Sequence, residues 1–465
     1  MVFSSIIFLF YFLPCFLLLY YLLPWKNAVL LLGSLVFYAW GEPRFVPLLL
    51  LSALLNYGGG QMISRSEGPS RQRWLWLGVA ANLGMLLYYK YLGFFGGMVN
   101  AVLKNFHGPI DFPAVVLPLG ISFFTFQGIS YLIDVYRRDI AVQSSFLNFA
   151  MYKAMFPQLV AGPIVRYRQI AHEIEHRTVD NARIWLGVQI FLTGLAQKVL
   201  IANTVAGPAD RLFGLPAEEL TTPAAWIGIA CYSIQILYDF GGYSNMAIGI
   251  GHMLGFSYPV NFDRPYSARS ITEFWRRWHI SLSSWFRDYL YIPLGGNRVS
   301  AARTYFNLGL VFLLCGLWHG AAWTFIVWGL WHGALLIVER AFLSAQLARL
   351  PGLLAQAWTL LLVMVGWVFF RADTLPHALG YIGVMFGMGA AQGEVPHPWQ
   401  MYFGNSAMTA LVIGVLLAIW RGNPMLRAPV LLWHPLRATA LLLCFVLCVV
   451  SLAAGTYNPF IYFRF

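Results

Sequence analysis

Charge is scarce in this chain. Of its 465 residues only 10% are charged, and 18 residues are Asp or Glu. A soluble domain carries roughly 25% charged residues, so this shortage excludes an ordinary soluble globular protein. The mean hydropathy of the chain is +0.65. Apolar runs recur along it, and their lengths are close to the roughly 20 residues that a spanning helix needs. We therefore predict an all-α polytopic membrane protein that forms a single transmembrane domain over residues 1–465.

Cysteine is also rare, and a cleavable leader is not recognisable. The five cysteines lie in apolar stretches, so we expect no disulfide framework. The segment after Met1 is apolar but has neither a basic region nor a small-residue cleavage site. We interpret it as a retained first helix.

The positive charges are concentrated in short loops. The net charge is +12, but this distribution is typical of membrane topology and anionic headgroups rather than of nucleic-acid binding. By the positive-inside rule, the basic loops 65–73, 164–183 and 261–303 are cytoplasmic, whereas the acidic stretch 210–219 lies outside. The pattern predicts a multi-pass membrane protein.

Apolar length predicts roughly 10 to 12 transmembrane helices. They are expected near residues 5–24, 27–41, 45–62, 74–95, 116–135, 184–204, 223–250, 304–319, 323–338, 353–370, 406–420 and 438–455. Residues 146–163 are apolar but short, with basic residues on both sides, so we predict a re-entrant element there. We expect interfacial helices in the polar stretch 261–303, and we place Arg421, Arg427 and Arg437 inside.

One histidine stands deep in the apolar part of the chain, within the run LWHGAAW at 317–323. His319 lies roughly 22 Å along a helix that starts near residue 304, near or beyond the midplane of a core roughly 30 Å thick. An ionisable residue at that depth is a functional-site hypothesis, and a neutral imidazole is the form that a general base needs. We prefer this to a packing histidine because of the depth and the adjacent Gly320. Trp318 and Trp323 are predicted to support it.

The same triplet recurs at Trp331-His332-Gly333. On one continuous helix His319 and His332 would be turned apart by roughly 220°, and their spacing does not fit a helical metal pair. We expect no metal site. His332 lies on the returning segment, where a packing role and an accessory role both stay open.

A carboxylate, Asp239, occurs inside the predicted span 223–250. A charge at that depth needs a partner, so pairing with a buried Arg or His and a direct catalytic part are both open. The following Gly241 and Gly242 permit a kink or a close helix approach. Asp239 and Tyr243 are predicted to support the site, and Cys315 is interpreted as an inert buried thiol rather than as an acyl carrier.

His279 ends an aromatic and basic run, FWRRWH at 274–279, in the cytoplasmic stretch. Arginines here have two interpretations, an interfacial anchor or a site for the phosphates of an acyl carrier or coenzyme A. The candidates for phosphate binding are Arg264, Arg276, Arg277 and Arg287.

These segments together resemble the membrane-bound O-acyltransferase (MBOAT) family. The resemblance rests on 238–244 (YDFGGYS), 261–266 (NFDRPY), 274–282 (FWRRWHISL), 285–289 (WFRDY) and 317–323 (LWHGAAW). Within the family the chain is similar to the AlgI-like polysaccharide O-acetyltransferase branch, through 1–5 (MVFSS), 118–123 (PLGISF), 156–163 (FPQLVAGP) and 462–465 (YFRF). Gly242 is a departure, because related chains often have Ser there.

The resemblance implies a pore-like enzyme in which cytosolic and outer funnels meet at a central histidine, with re-entrant and interfacial helices around this tunnel. The matching positions are His319 for the central histidine and His279 for the second family histidine, both catalytic. It also implies acetyl-CoA as the cytosolic donor, no permanently bound cofactor, and an exported polysaccharide such as alginate or cellulose as acceptor. The implied partner is a periplasmic SGNH-type acetyltransferase or a polysaccharide synthase complex.

Three alternatives stay open on the residues. The first is D-alanyl transfer by a related branch of the same family. The second is a polysaccharide or acyl transporter without catalysis, which should show internal repeats; the two WHG triplets are too close together for that. The third is a scaffold whose partner does the chemistry.

Overall fold

The protein is described by a computed structural model, for residues 1–104, 108–388, 399–419 and 435–461. These residues form helices joined by turns and loops, with no strand among them, so the predicted all-α class is confirmed. Arg421, Arg427 and the segment 462–465 lie outside the described residues. The chain forms two compact units, Met1–Gly187 with Ala247–Pro259, and Val188–Met246 with Val260–Phe465. The predicted single domain over 1–465 stays a prediction.

Unit 1 is built mainly from the first nine helices. Its core includes the rings of Phe8, Phe37 and Phe156, with centroids 5.2 to 6.2 Å apart. The helices are α1 (Leu13–Leu22), α2 (Lys26–Gly41), α3 (Val46–Arg65), α4 (Gly68–Leu86), α5 (Leu92–Leu103), α6 (Ile121–Arg137), α7 (Phe146–Ala154), α8 (Phe156–Leu159) and α9 (Tyr167–Glu175). The start of α10 and the end of α12 also belong to this unit.

Unit 2 contains the rest of the described helices and the candidate site. They are α10 (Asn181–Ala196), α11 (Asn203–Phe213), α12 (Thr222–Leu254), α13 (Ile271–Arg277), α14 (Ile280–Phe286), α15 (Ala301–His319), α16 (Trp323–Val338), α17 (Ser344–Arg349), α18 (Gly352–Arg371), α19 (Leu375–Met385), α20 (Asn405–Ile419) and α21 (Pro435–Ala453). Its core is rich in tryptophan, and the ring of Trp328 packs against Trp275 and Trp367 at 5.7 and 6.2 Å.

Several helices are long and apolar enough to cross a membrane. The described residues contain six of them: Pro43–Arg65, Asn181–Phe213, Ala301–His319, Trp323–Arg349, Gly352–Arg371 and Pro435–Ala453. Shorter apolar helices cover Phe8–Leu22 and Asn405–Ile419. The chain is therefore a multi-pass membrane protein, and the total of 10 to 12 spans stays a prediction. Residues 146–163 form the short helices α7 and α8, which confirms that this segment is not one spanning helix.

Two helices, α15 and α16, form a tight hairpin that places His319 at its tip. Ser300 caps α15 by accepting a hydrogen bond from the backbone of Arg303. The helix ends at His319 because Gly320 is extended, with φ −160° and ψ 150°. The helix therefore starts three residues earlier than predicted, and His319 lies roughly 27 Å from its first residue. As the predicted bounds 304–319 imply, it is the last residue of the helix.

Glycines allow the two helices of the hairpin to touch backbone to backbone. A Cβ atom on Gly316 would lie 2.3 Å from the carbonyl oxygen of Phe325, and one on Gly329 would lie 2.3 Å from that of Phe312. Such close approach is how small residues pack membrane helices, where dispersion contacts replace the hydrophobic effect. The position of His319 thus depends on this contact.

We expect the replacement Gly316→Ala to lower the melting temperature of the protein, because the new methyl group would overlap the Phe325 carbonyl. Overpacking of this kind costs roughly 1–3 kcal/mol. The matched control is Gly309→Ala on the same helix, where a Cβ meets nothing within 4 Å. Thermal unfolding of the purified variants in detergent measures the difference, and equal melting temperatures would contradict the close contact.

Candidate active site

His319 lies in a small pocket walled by aromatic rings. Its side chain is 6% exposed, and the rings of Trp328 and Phe370 pack edge-on against the imidazole at 4.9 and 5.2 Å. The pocket has a volume of ≈ 10 Å³, which is room for about one water molecule. The imidazole is therefore held in a buried and apolar environment.

A second imidazole, that of His279, reaches the same place from the connection between two short helices. The backbone of His279, between α13 and α14, has φ 44° and ψ 53°. This left-handed conformation is uncommon outside glycine and turns the chain sharply. The His279 ring is fully buried, and its centroid lies 6.4 Å from that of His319. The two histidines expected to be catalytic are thus neighbours, although 40 residues separate them in the sequence.

A hydrogen-bond network determines the tautomer of His279. The side-chain oxygen of Asn261 lies 3.2 Å from Nδ1 of His279 and accepts from the backbone N–H and the hydroxyl of Ser281 at 3.2 and 2.9 Å. The Asn261 amide group donates in turn to the hydroxyl of Ser244 at 3.1 Å. Because the Asn261 oxygen can only accept, Nδ1 of His279 carries the proton and Nε2 the lone pair.

Burial sets the charge of this ring. It lowers the pKa of His279 to about 3, so the imidazole is neutral at physiological pH. Asn261 is the first residue of the segment 261–266, one of those that carry the family resemblance. Nothing in the sequence, however, indicated that this asparagine contacts His279. Its role becomes visible only when the loop is folded beside His279.

A larger polar cavity adjoins the His319 pocket. Its volume is ≈ 320 Å³, at the lower end of the roughly 300–1,000 Å³ of ligand pockets. Phe370 and Ile461 line both spaces. The polar wall of this cavity includes Asp210 and Arg371, which form an ion pair at 2.6 Å. A polar ligand in the cavity would therefore lie next to the pocket of His319.

Asp239 is buried and paired with a residue that the sequence analysis did not single out. Its Oδ1 lies 2.6 Å from Nζ of Lys198, and each side chain is 2% exposed. The partner is thus a lysine and not the expected Arg or His. Lys198 lies in the π-helical turn Gln197–Ala202 between α10 and α11. A lysine inside the predicted apolar span 184–204 was the signal in the sequence that pointed to it.

The second glycine after Asp239 brings two helices together. A Cβ atom on Gly242 would lie 2.7 Å from the carbonyl oxygen of Gly194, which confirms the predicted close helix approach between α12 and α10. Tyr243 on the same helix is buried, with its ring 4.8 Å from that of Phe460.

The other predicted supporting residues lie at different places around the pocket. Trp318 is buried, and its ring lies 6.1 Å from that of His279. His332 is fully buried, and its ring centroid lies 5.3 Å from that of Trp328. The same Trp328 ring packs against His319. Trp323, by contrast, is 51% exposed, so it does not belong to the buried wall of the pocket.

The arginines expected to bind phosphate are mostly paired with carboxylates of the same stretch. Arg264 lies 3.3 Å from Asp263, Arg277 lies 2.8 Å from Glu273, and Arg287 lies 2.7 Å from Asp288. Arg276 is exposed on α13. Carboxylates therefore partly neutralise three of the four arginines, and exposed Arg276 is the best placed to meet an anion from solvent.

Comparison with known proteins places this geometry in a family. The sequence model of the membrane-bound O-acyltransferase family, MBOAT, matches residues 135–370, a range that contains both histidines. The chain is 42% identical to the probable alginate O-acetylase AlgI of Azotobacter vinelandii and 43% identical to that of Pseudomonas putida KT2440, with 100% of each chain covered. It is 38% identical to the peptidoglycan O-acetyltransferase of Helicobacter pylori, over 83% of this chain and 80% of that protein.

These matches and the paired histidines agree on the class of chemistry. The likeness to the alginate relatives extends over the whole chain, so it includes the elements that carry His279, His319 and Asp239. The chain belongs to the membrane-bound O-acyltransferase family, in its AlgI-like branch, and is an O-acyltransferase.

Proposed function

We propose that this protein transfers an acetyl group from acetyl-CoA on the cytosolic side of the bacterial inner membrane for the O-acetylation of an exported polysaccharide, such as alginate or cellulose. One observation carries the proposal: the imidazoles of His279 and His319 lie 6.4 Å apart in a buried aromatic site. The printed names of the alginate and peptidoglycan relatives support a polysaccharide as the final acceptor.

The reaction that suits this arrangement is acyl transfer from sulfur to oxygen. A hydroxyl oxygen of the acceptor attacks the thioester carbonyl carbon, a C–O bond forms and the C–S bond breaks. His319 accepts the hydroxyl proton during the attack and returns it to the leaving thiolate, so that coenzyme A departs as a free thiol. His279 is neutral and has its lone pair on Nε2, so it is the second proton-accepting nitrogen close to the reaction. General base catalysis contributes roughly 10²–10⁴-fold.

The two substrates approach His319 from different sides in this proposal. Phosphates of the donor meet the arginine-rich stretch, where the guanidinium of Arg276 offers charge-assisted hydrogen bonds. The acceptor hydroxyl enters through the polar cavity beside Asp210 and Arg371. A periplasmic SGNH-type acetyltransferase or a polysaccharide synthase complex is the proposed recipient, because the polymer is modified beyond the membrane.

The replacement His319→Gln is expected to lower acetyl transfer by roughly 10²–10⁴-fold, because it removes the proton acceptor. The control is His252→Gln, a change in a partly buried histidine of unit 1. Acetyl ester content is measured by NMR on polymer from a deletion strain that expresses each variant, after membrane insertion is verified. Wild-type acetylation by the inserted His319 variant would contradict the proposal and favour a scaffold role.

The replacement Asn261→Asp is expected to change the pH dependence of the reaction. A carboxylate beside Nδ1 raises the pKa of His279, whereas the wild-type value is about 3. A base is lost as the pH falls through its pKa, so the part of the acid limb that His279 contributes moves to higher pH in the variant than in the wild type. Initial rates from about pH 5 to 9 measure this. Identical profiles would exclude His279 as a proton acceptor.

The replacement Arg276→Gln is expected to raise KM for acetyl-CoA by roughly 10-fold with little change in kcat, since a hydrogen bond to a charged group contributes roughly 1.5–3 kcal/mol. The control is Arg298→Gln, an exposed arginine of the same stretch. Rates in proteoliposomes over a range of donor concentrations give both constants. Equal KM values for the two variants would show that the donor phosphates bind elsewhere.

A further inference from the structure

Polar side chains of other elements bind the segment that follows α21. We call residues 457–461 the strap. The hydroxyl of Tyr457 donates to Oδ2 of Asp210 at 2.8 Å, and the side chain of Asn203 donates to that of Asn458 at 3.0 Å. Each contact joins the strap to α11.

The buried ion pair makes the two remaining attachments. Nζ of Lys198 donates to the carbonyl oxygen of Pro459, and Oδ2 of Asp239 accepts the backbone N–H of Ile461 at 2.7 Å. The other carboxylate oxygen, Oδ1, lies 2.6 Å from the ammonium group. One pair therefore binds two points of the strap, a carbonyl and an N–H, on either side of Phe460.

The strap also borders both spaces of the candidate site, as Phe370 does. Ile461 lines both the ≈ 10 Å³ pocket of His319 and the ≈ 320 Å³ polar cavity, whereas Pro459 and Phe460 line the cavity. A pocket with room for about one water molecule cannot hold an acetyl group beside an acceptor hydroxyl. A wall has to move for the reaction, and the strap is a wall that the two spaces share through Ile461.

We infer that Lys198 and Asp239 are positioning residues that hold the strap, with Ile461 as the wall between the His319 pocket and the polar cavity. In this position the wall lets the acceptor hydroxyl reach His319 and excludes water. This inference rests on the proposed function, because it assigns the strap to the acceptor side of the same reaction. Water and a hydroxyl compete for the same acyl donor, and exclusion of water prevents hydrolysis of a reactive thioester.

The attachment can be removed without leaving a buried charge. Loss of one partner would leave the other charge buried and strongly destabilise the protein, whereas replacement of a whole buried pair by apolar residues of similar volume is often tolerated. The test variant is therefore Lys198→Met combined with Asp239→Leu. The matched control is Gln197→Met with Asn245→Leu, because the Asn245 amide donates to Gln197 at 2.8 Å and joins the same turn to the same helix by a hydrogen bond that does not include the strap.

Two measurements on the full-length protein in proteoliposomes test the inference. Hydrogen exchange reports the protection of the Ile461 amide, and a thiol-release assay with acetyl-CoA, run with and without acceptor, reports hydrolysis and transfer separately. For the test variant we expect loss of protection at Ile461, a roughly 10-fold lower kcat for transfer and a several-fold higher ratio of hydrolysis to transfer. The control variant should match the wild type in all three.

Two results would overturn the inference. One is retained protection of the Ile461 amide in the folded test variant, since the pair would then not hold the strap. The other is lost protection with wild-type hydrolysis and transfer, since the strap would then not shape the reaction. Failure of the proposed function is a different result, in which the wild type itself releases no thiol from acetyl-CoA; the exchange measurement still decides whether the pair holds the strap.

Discussion

The high free energy of burying a polar group away from water organises the centre of unit 2. A buried charge is tolerated when another charge and hydrogen bonds compensate it, and Asp239 meets this requirement with the ammonium group of Lys198 and the N–H of Ile461. The neutral ring of His279 meets it with Asn261. These polar contacts tie α12, the turn before α11, the loop before α13 and the strap to one another. The apolar residues around them determine how tightly the helices pack but not which polar partners meet.

The two histidines are supported in different ways, and each way suits a catalytic group. His319 ends a helix whose position depends on backbone contact between Gly316 and Phe325, so its ring is carried by a rigid element. His279 sits in a strained left-handed turn, and its orientation comes from the Asn261 network instead. Preorganised groups of this kind need little rearrangement when substrates bind. The strap is the exception, since polar side chains hold its backbone and it borders both spaces.

Sequence reasoning was most successful where one physical property dominates a long stretch. Hydropathy located α15, α16 and α18 within a few residues, because a spanning helix must be apolar over most of its length. Sequence reasoning also placed the end of a helix at His319, since the glycine that follows it permits the chain to turn. It was least successful for the arginines of the stretch 261–303. Their ion pairs with Asp263, Glu273 and Asp288 depend on side-chain geometry that composition does not express.

The sequence by itself determined the class of the protein, because composition, helix length and local motifs are encoded by neighbouring residues. It determined that His319 lies deep along an apolar helix and that Asp239 needs a partner. Only the tertiary structure decided that this partner is Lys198, that Asn261 orients His279, and that Ile461 lies beside His319. The physical reason is that each of these pairs joins residues from separate elements, and local propensity carries no information about which side chains meet once those elements pack.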